Sequence, residues 1–212
     1  MLKRTSLVGL AVAGVAAGAI VLTSGLAVAA DAPAWKSQAG KYAVFDTTEG
    51  KIVCVLFEKE APKTVENFTG LATGTKEFKD AATGSQAKRP FYDGTKFHRI
   101  IPGFMMQGGD PLGTGTGGPG YTIDDEFAPS LNFSEKGKLA MARTPAPHSA
   151  GSQFFITTAP TTFLNGGYAI FGKVVEGQDV VDRICATIGS QSGKPTKDVV
   201  IRKLTIETVA GK

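Results

Sequence analysis

The chain has 212 residues, a formal net charge of +4 and 42% hydrophobic residues, which suits one soluble domain once an N-terminal leader is removed. Lys3 and Arg4 carry two of the positive charges and the first thirty residues hold no acid, so the mature domain is left at about +2. That balance is too weak to point to a nucleic-acid partner.

Residues 7–30 are apolar or small, follow Lys3-Arg4, and end in Ala27-Val28-Ala29, the layout of a secretory signal with its small-residue cleavage site. Cleavage after Ala29 divides the chain into a signal peptide (1–29), a linker (30–40) and one domain (41–212). The apolar run exceeds the usual signal core of ~7–15 residues and could span a bilayer at ~20, so an uncleaved anchor is the alternative. Gly14, Gly18 and Gly25 favour removal, and the absence of a cysteine at the cleavage site argues against a lipoprotein. Export would permit a disulfide between Cys54 and Cys185, but two separate thiols, at least one filling the core, is the plainer reading.

After a short polar linker that carries Trp35, β-rich runs at 42–47 and 51–57 read as a hairpin around Thr48-Glu49-Gly50. Pro62 opens a helix with Val65, Phe68, Leu71 and Ala72 on one face, and Gly74 stops it. Residues 73–94 are polar and turn-rich, hence a surface loop. Strands are expected at 96–100, 104–107, 138–143, 154–158, 168–174 and 199–208, and a second amphipathic helix at 177–186. Many short strands with only two helices point to an all-β-dominated fold, a closed antiparallel barrel.

The stretch Phe97-His98-Arg99-Ile100-Ile101-Pro102-Gly103-Phe104-Met105-Met106-Gln107 sets one arginine and one glutamine among large apolar side chains. An arginine stays charged in any protein environment, so holding it beside an apolar surface costs free energy that packing does not return. Gly151-Ser152-Gln153-Phe154-Phe155 repeats the theme. Together they read as a greasy pocket with a few fixed hydrogen-bond donors.

These two islands, with Phe163-Leu164-Asn165-Gly166 and Phe171-Gly172-Lys173-Val174 downstream, resemble the cyclophilin family of peptidyl-prolyl cis-trans isomerases from about Tyr42 to the C-terminus. The resemblance implies an eight-stranded closed barrel with a helix capping each end. It implies a catalytic role for Arg99, a proline pocket made by Phe104, Met105, Phe155 and Leu164, and orientation of the guanidinium or a substrate carbonyl by Gln107. Gln153 and the backbone of Ala142, Arg143 and Thr144 would bind the peptide chain, with His98 in the pocket wall or behind it. Phe163 and Tyr168 stand in the binding site where many members carry tryptophan and histidine; losing the indole N–H puts tight cyclosporin binding in doubt more than catalysis. No metal and no cofactor is implied. The expected partners are proline-containing unfolded or nascent exported polypeptides, handled by a monomer in the bacterial periplasm, without nucleic acid and without membrane contact after signal removal. A non-catalytic peptide-binding module using the same groove is the rival reading, because binding needs the apolar pocket but not the arginine.

Other patterns are set aside on physical grounds. Gly115-Thr116-Gly117-Gly118-Pro119-Gly120 satisfies G-x-G-x-x-G, yet no crossover helix follows, and a loop beside the pocket is expected instead of a nucleotide site. Asp124-Asp125-Glu126 reads as an exposed turn rather than a metal site, since consecutive acids do not share a strand face. His98 and His148 are the only histidines, and no nucleophile elbow accompanies Ser149 or Ser152.

Overall fold

The structure, a computed structural model, describes residues 32–211; the expected leader and its cleavage site lie outside the described residues. β1 (Gly40–Thr47) and β2 (Gly50–Leu56) form the expected hairpin. Thr47 closes its turn, accepting the Glu49 N–H and donating to the Gly50 carbonyl through one hydroxyl. α1 (Pro62–Thr73) begins on proline, whose missing N–H costs nothing in a first turn, and stops at Gly74 with φ 73°. A Cβ there would press on the backbone of Arg89 and Pro90, so only glycine serves as this cap.

The segment expected to be a plain surface loop contains a small ladder, β3 (Phe78–Lys79) with β4 (Gln86–Ala87). Phe78, Phe91 and Tyr92 drop into the core, so three aromatic rings anchor it. The remaining elements are β5 (Arg99–Ile101), β6 (Met105–Gly108), β7 (Lys138–Met141), β8 (Phe154–Thr157), β9 (Ile170–Glu176), α2 (Gln178–Thr187) and β10 (Ile201–Val209). No helix among the described residues is long and apolar enough to cross a membrane.

Eight strands make one sheet in the order β10-β1-β2-β9-β7-β8-β6-β5, with β3 and β4 outside it. It is a strongly curled half-barrel, and the closed barrel expected from the sequence does not form. β5 and β10 are its two edges, and the chain meets across them just before each strand, at the bridge between Lys96 and Val200 and the Phe97 N–H to the Val199 carbonyl. The reason lies in β5. It is three residues long, and its outer backbone groups are already taken by a loop: Ile100 donates to the Gly193 carbonyl and accepts from the Ser190 N–H. Nothing is left on that edge to ladder with β10.

Period-two alternation sorts the side chains onto two faces. Met106, Leu139, Met141, Phe154, Ile156 and Phe171 point inward and meet α1 and α2, which contribute Phe68, Leu71, Val181 and Ile184 to the same core. Phe68 and Phe154 stand edge to face at 5.7 Å near its centre. Their alternates, Met105, Ala140, Phe155 and Ile170, point outward into a second apolar cluster with Phe133 and Leu164. A third cluster gathers Trp35, Tyr42 and Val53. The 3-10 turn Ala34–Ser37 seats Trp35 against Tyr42 at 4.8 Å, and its indole donates to Glu176 at 2.7 Å. Cys54 and Cys185 are separate buried thiols; burial pushes both upward, Cys185 to about 12, which leaves them protonated and unreactive.

Candidate functional site

The strand register builds the site. Arg99 on β5 lies opposite Gln107 on β6, Gln107 opposite Phe155 on β8, and Phe155 opposite Ala140 on β7. Two residues along, Ile101 pairs with Met105 and Met105 with Thr157. Because these positions share the outward parity, a charged fork, an amide and an aromatic ring are brought side by side on the convex face of the sheet.

They line a cavity of about 140 Å³ together with Phe104, Met105, Ala142, Arg143, Leu164 and Tyr168. Phe155 is its buried floor, backed by Phe133 stacked at 6.1 Å and flanked by Tyr168 edge-on at 5.5 Å. Phe163 stands on the rim, 75% exposed, with its ring 5.6 Å from Phe104. In its 3-10 turn, Thr162–Leu164, Leu164 turns in and Phe163 turns out.

Arg99 reaches the cavity with a guanidinium that no carboxylate among the described residues pairs. Nη1 lies 3.4 Å from Gln107 Oε1 and 3.9 Å from the Met105 sulfur, and the fork sits 5.9 Å from the Phe104 ring centre. A chain of amides fixes the orientation of its neighbour. Gln153 Nε2 donates to the Gly115 and Gly117 carbonyls at 3.0 and 2.9 Å, so its oxygen is left to accept Gln107 Nε2 at 2.8 Å. Gln107 must then turn its own oxygen towards Arg99.

The far end of that chain rests on Asp110, which reading of the sequence did not single out. Its buried carboxylate accepts the N–H groups of Leu112, Thr114 and Gly115, and with Gly117 these hold it below the ordinary aspartate value against the opposing effect of burial. A Cβ at Gly117 would collide with that carboxylate, so the glycine-rich run is a loop wound around an acid. An aspartate directly after Gly108-Gly109 was the available signal.

A wider cleft of about 610 Å³ adjoins the cavity and shares Gln107, Ala142 and Arg143 with it; Gln153 and Thr144 line this cleft rather than the smaller cavity. The side chain of Arg143, expected to act through its backbone, ties three loops. It donates to the Gly167 and Ala146 carbonyls, both at 2.9 Å, lies 3.5 Å from Asp125, and stacks over Phe127. His98 sits behind the wall beside Gly115, with neither ring nitrogen hydrogen-bonded, and burial lowers its pKa.

The acidic triplet is not a free exposed turn. Asp124 pairs with Lys63, and Glu126 accepts the Lys63 and Thr64 N–H groups at the start of α1. Asp125 and His148 exchange two hydrogen bonds, with His148 held at φ 52°. Asn67 is buried and committed to Gly151 and Tyr121.

The family model described as cyclophilin type peptidyl-prolyl cis-trans isomerase/CLD matches residues 42–206. The peptidyl-prolyl cis-trans isomerase B of Streptomyces anulatus is 49% identical over 170 residues, covering 79% of this chain and 97% of that protein. The peptidyl-prolyl cis-trans isomerase A of Mycobacterium tuberculosis is 49% identical over 166 residues, 77% of this chain and 91% of its own. Among solved structures, a Cryptosporidium parvum cyclophilin type peptidyl-prolyl cis-trans isomerase, crystallised in the presence of the dipeptide Ala-Pro, superposes with a TM-score of 0.67 at 35% identity, covering 79% of this chain and 99% of that one.

Proposed function

Because this chain belongs to the cyclophilin-type peptidyl-prolyl cis-trans isomerases, we propose that it rotates X-Pro bonds by seating the proline ring on Phe155 and turning the Arg99 guanidinium onto the proline nitrogen. The planar amide resists rotation by about 18–20 kcal/mol. At the twisted state conjugation is lost, and the proline nitrogen regains a lone pair that accepts a hydrogen bond. A donor aimed at that nitrogen helps only there, which is what differential stabilisation of a transition state requires. Neither proton transfer nor a covalent intermediate enters the step.

In this reading Met105, Phe104 and Leu164 hold the ring beside Phe155, Gln107 steadies the fork, and Gln153 with the backbone of 142–144 receives the peptide chain. Tyr168 walls the cavity beside Phe155, and Phe163 supplies an aromatic lip. The observation that carries the proposal is the row Arg99, Gln107, Phe155 across three paired strands, with the arginine's charge left without an acid. A groove that only held peptides would gain nothing from that cation.

Arg99→Ala lowers kcat/KM on an X-Pro peptide by at least about tenfold, equivalent to ~1.4 kcal/mol, with the fold intact because the side chain is exposed. Arg99→Lys fails as well, since a point charge lacks the planar fork. Protease-coupled turnover on the purified domain measures both, and a wild-type rate from folded Arg99→Ala removes the mechanism.

The clients we propose are unfolded and newly exported polypeptides, whose proline-limited steps take tens of seconds unaided. The support is the leader: Lys3-Arg4, the apolar run and Ala27-Val28-Ala29. Intact mass of protein from its native host is expected to start at Ala30. Full-length protein in the membrane fraction overturns the release and places the enzyme on an anchor.

A further inference from the structure

Beyond the proline cavity and the wide cleft, the outer face carries a third depression that neither uses. It has a volume of about 350 Å³, against about 140 Å³ for the cavity assigned to a proline ring, so there is room for a large side chain. Its walls are Phe127, Leu131, Phe133, Tyr168 and Ile170. It is not a separate patch. Tyr168 is a wall of both depressions, and Phe133 lies behind Phe155, the floor of the proline cavity.

The lining defines what would fit. It includes no side chain that is charged at neutral pH, so a charged occupant would be desolvated without a partner. At the rim stand Asn132 and Asn165, whose Oδ1 atoms are already spent on the backbone N–H groups of Ser134 and Phe133. Their Nδ2 groups donate to no protein atom among the described residues, and two amide donors beside apolar walls suit a peptide carbonyl next to an apolar side chain. Phe127, a wall residue, is left 40% exposed.

We propose that this depression is a side-chain subsite of the substrate groove, taking an aromatic residue of the same peptide whose proline occupies the neighbouring cavity across Tyr168. The inference rests on the assignment of the smaller cavity to proline. An extended chain advances about 3.3–3.6 Å per residue, so a residue within three of the proline is placed to cross one ring and enter. The enzyme then selects among prolines by an aromatic neighbour in sequence, through contacts that lie outside the catalytic row.

The test is a set of peptides with one proline in a serine background, with tryptophan placed in turn at each of three positions on either side. Each is titrated calorimetrically against the wild type, Leu131→Asp and Phe127→Ser, and the all-serine parent is followed for turnover. At one position tryptophan is expected to bind about tenfold tighter than serine, ~1.4 kcal/mol. In both variants that advantage falls to within about twofold, while the parent peptide turns over at the wild-type rate, which certifies the fold. No positional preference in the wild type, or a preference that survives both variants, overturns the subsite. Self-association of the wild type that Leu131→Asp abolishes gives the depression to a second copy and overturns it too. Absence of turnover on the parent instead strikes the assignment of the proline cavity, and the titrations still decide whether an aromatic residue enters here.

Discussion

His98 sits directly before the arginine of the site and has neither ring nitrogen hydrogen-bonded, so its neutral form is the one the fold accepts. Burial lowers its pKa, with Arg99 and Lys96 pushing the same way and Asp110 opposing. In the unfolded chain an imidazole titrates near 6.5. The stability tied to His98 is therefore complete above that value and is lost as pH falls below it towards the lower folded value, because the unfolded state binds the proton first. Between pH 7.5 and 5.0 the wild type is expected to lose more thermal stability than His98→Gln. Melting at the two pH values measures the difference, well above the range in which Asp110, Glu135 and Glu176, all held below ordinary carboxylate values, titrate. Equal losses in the two proteins would mean that the imidazole is solvated. At this scale the sequence was most readable where chemistry is unusual. An arginine among apolar residues advertises itself, and so do glutamines beside phenylalanines. Asp110 and the side chain of Arg143 were hidden, because what they do is hold backbone groups of loops whose path no local pattern states.

Among the elements, α1 shows how a helix can be finished by a distant residue. Its N-cap, Ala61, offers no side-chain acceptor, and the carboxylate of Glu126 takes the Thr64 N–H at 2.6 Å and the Lys63 N–H at 3.1 Å from across the chain. A negative charge at that end also meets the favourable end of the helix dipole. Glu126→Ala is expected to cost about 0.5–2 kcal/mol, the range for a lost N-cap, read as a lower urea midpoint with unchanged slope. No shift in midpoint would mean that Pro62 alone starts the helix. The same contact explains why the acidic triplet was misread from sequence: a run of acids looks like a solvated turn until the helix end it serves is brought to it. Both helices and the hairpin were readable, since period and stop signals are local. The ladder of β3 and β4 and the seat of Trp35 were not. Each depends on a partner surface supplied from elsewhere: the core that receives Phe78, and the strands that present Tyr42 and Val53.

For the molecule as a whole, the eight strands of the large sheet and their parity could be inferred from alternation, and closure could not. Whether a sheet of eight strands closes depends on what its last edge meets, and here the Ser190–Gly193 loop reaches β5 before β10 can. The same folding-back exposes Arg99 on a short edge strand whose backbone is nevertheless satisfied, so the site is open to a peptide while the edge offers no template for another chain. A different consequence follows from the first and last strands. Gly40 is paired with Val209, so the first and last strands of the large sheet lie side by side in one ladder. A linker of a few residues could join those ends at little entropic cost, and a cut in the exposed turn at residues 82–85 would break no rung of the large sheet. Topologically the eight strands of the large sheet follow one another around a ring of connections that is left open only between β10 and β1.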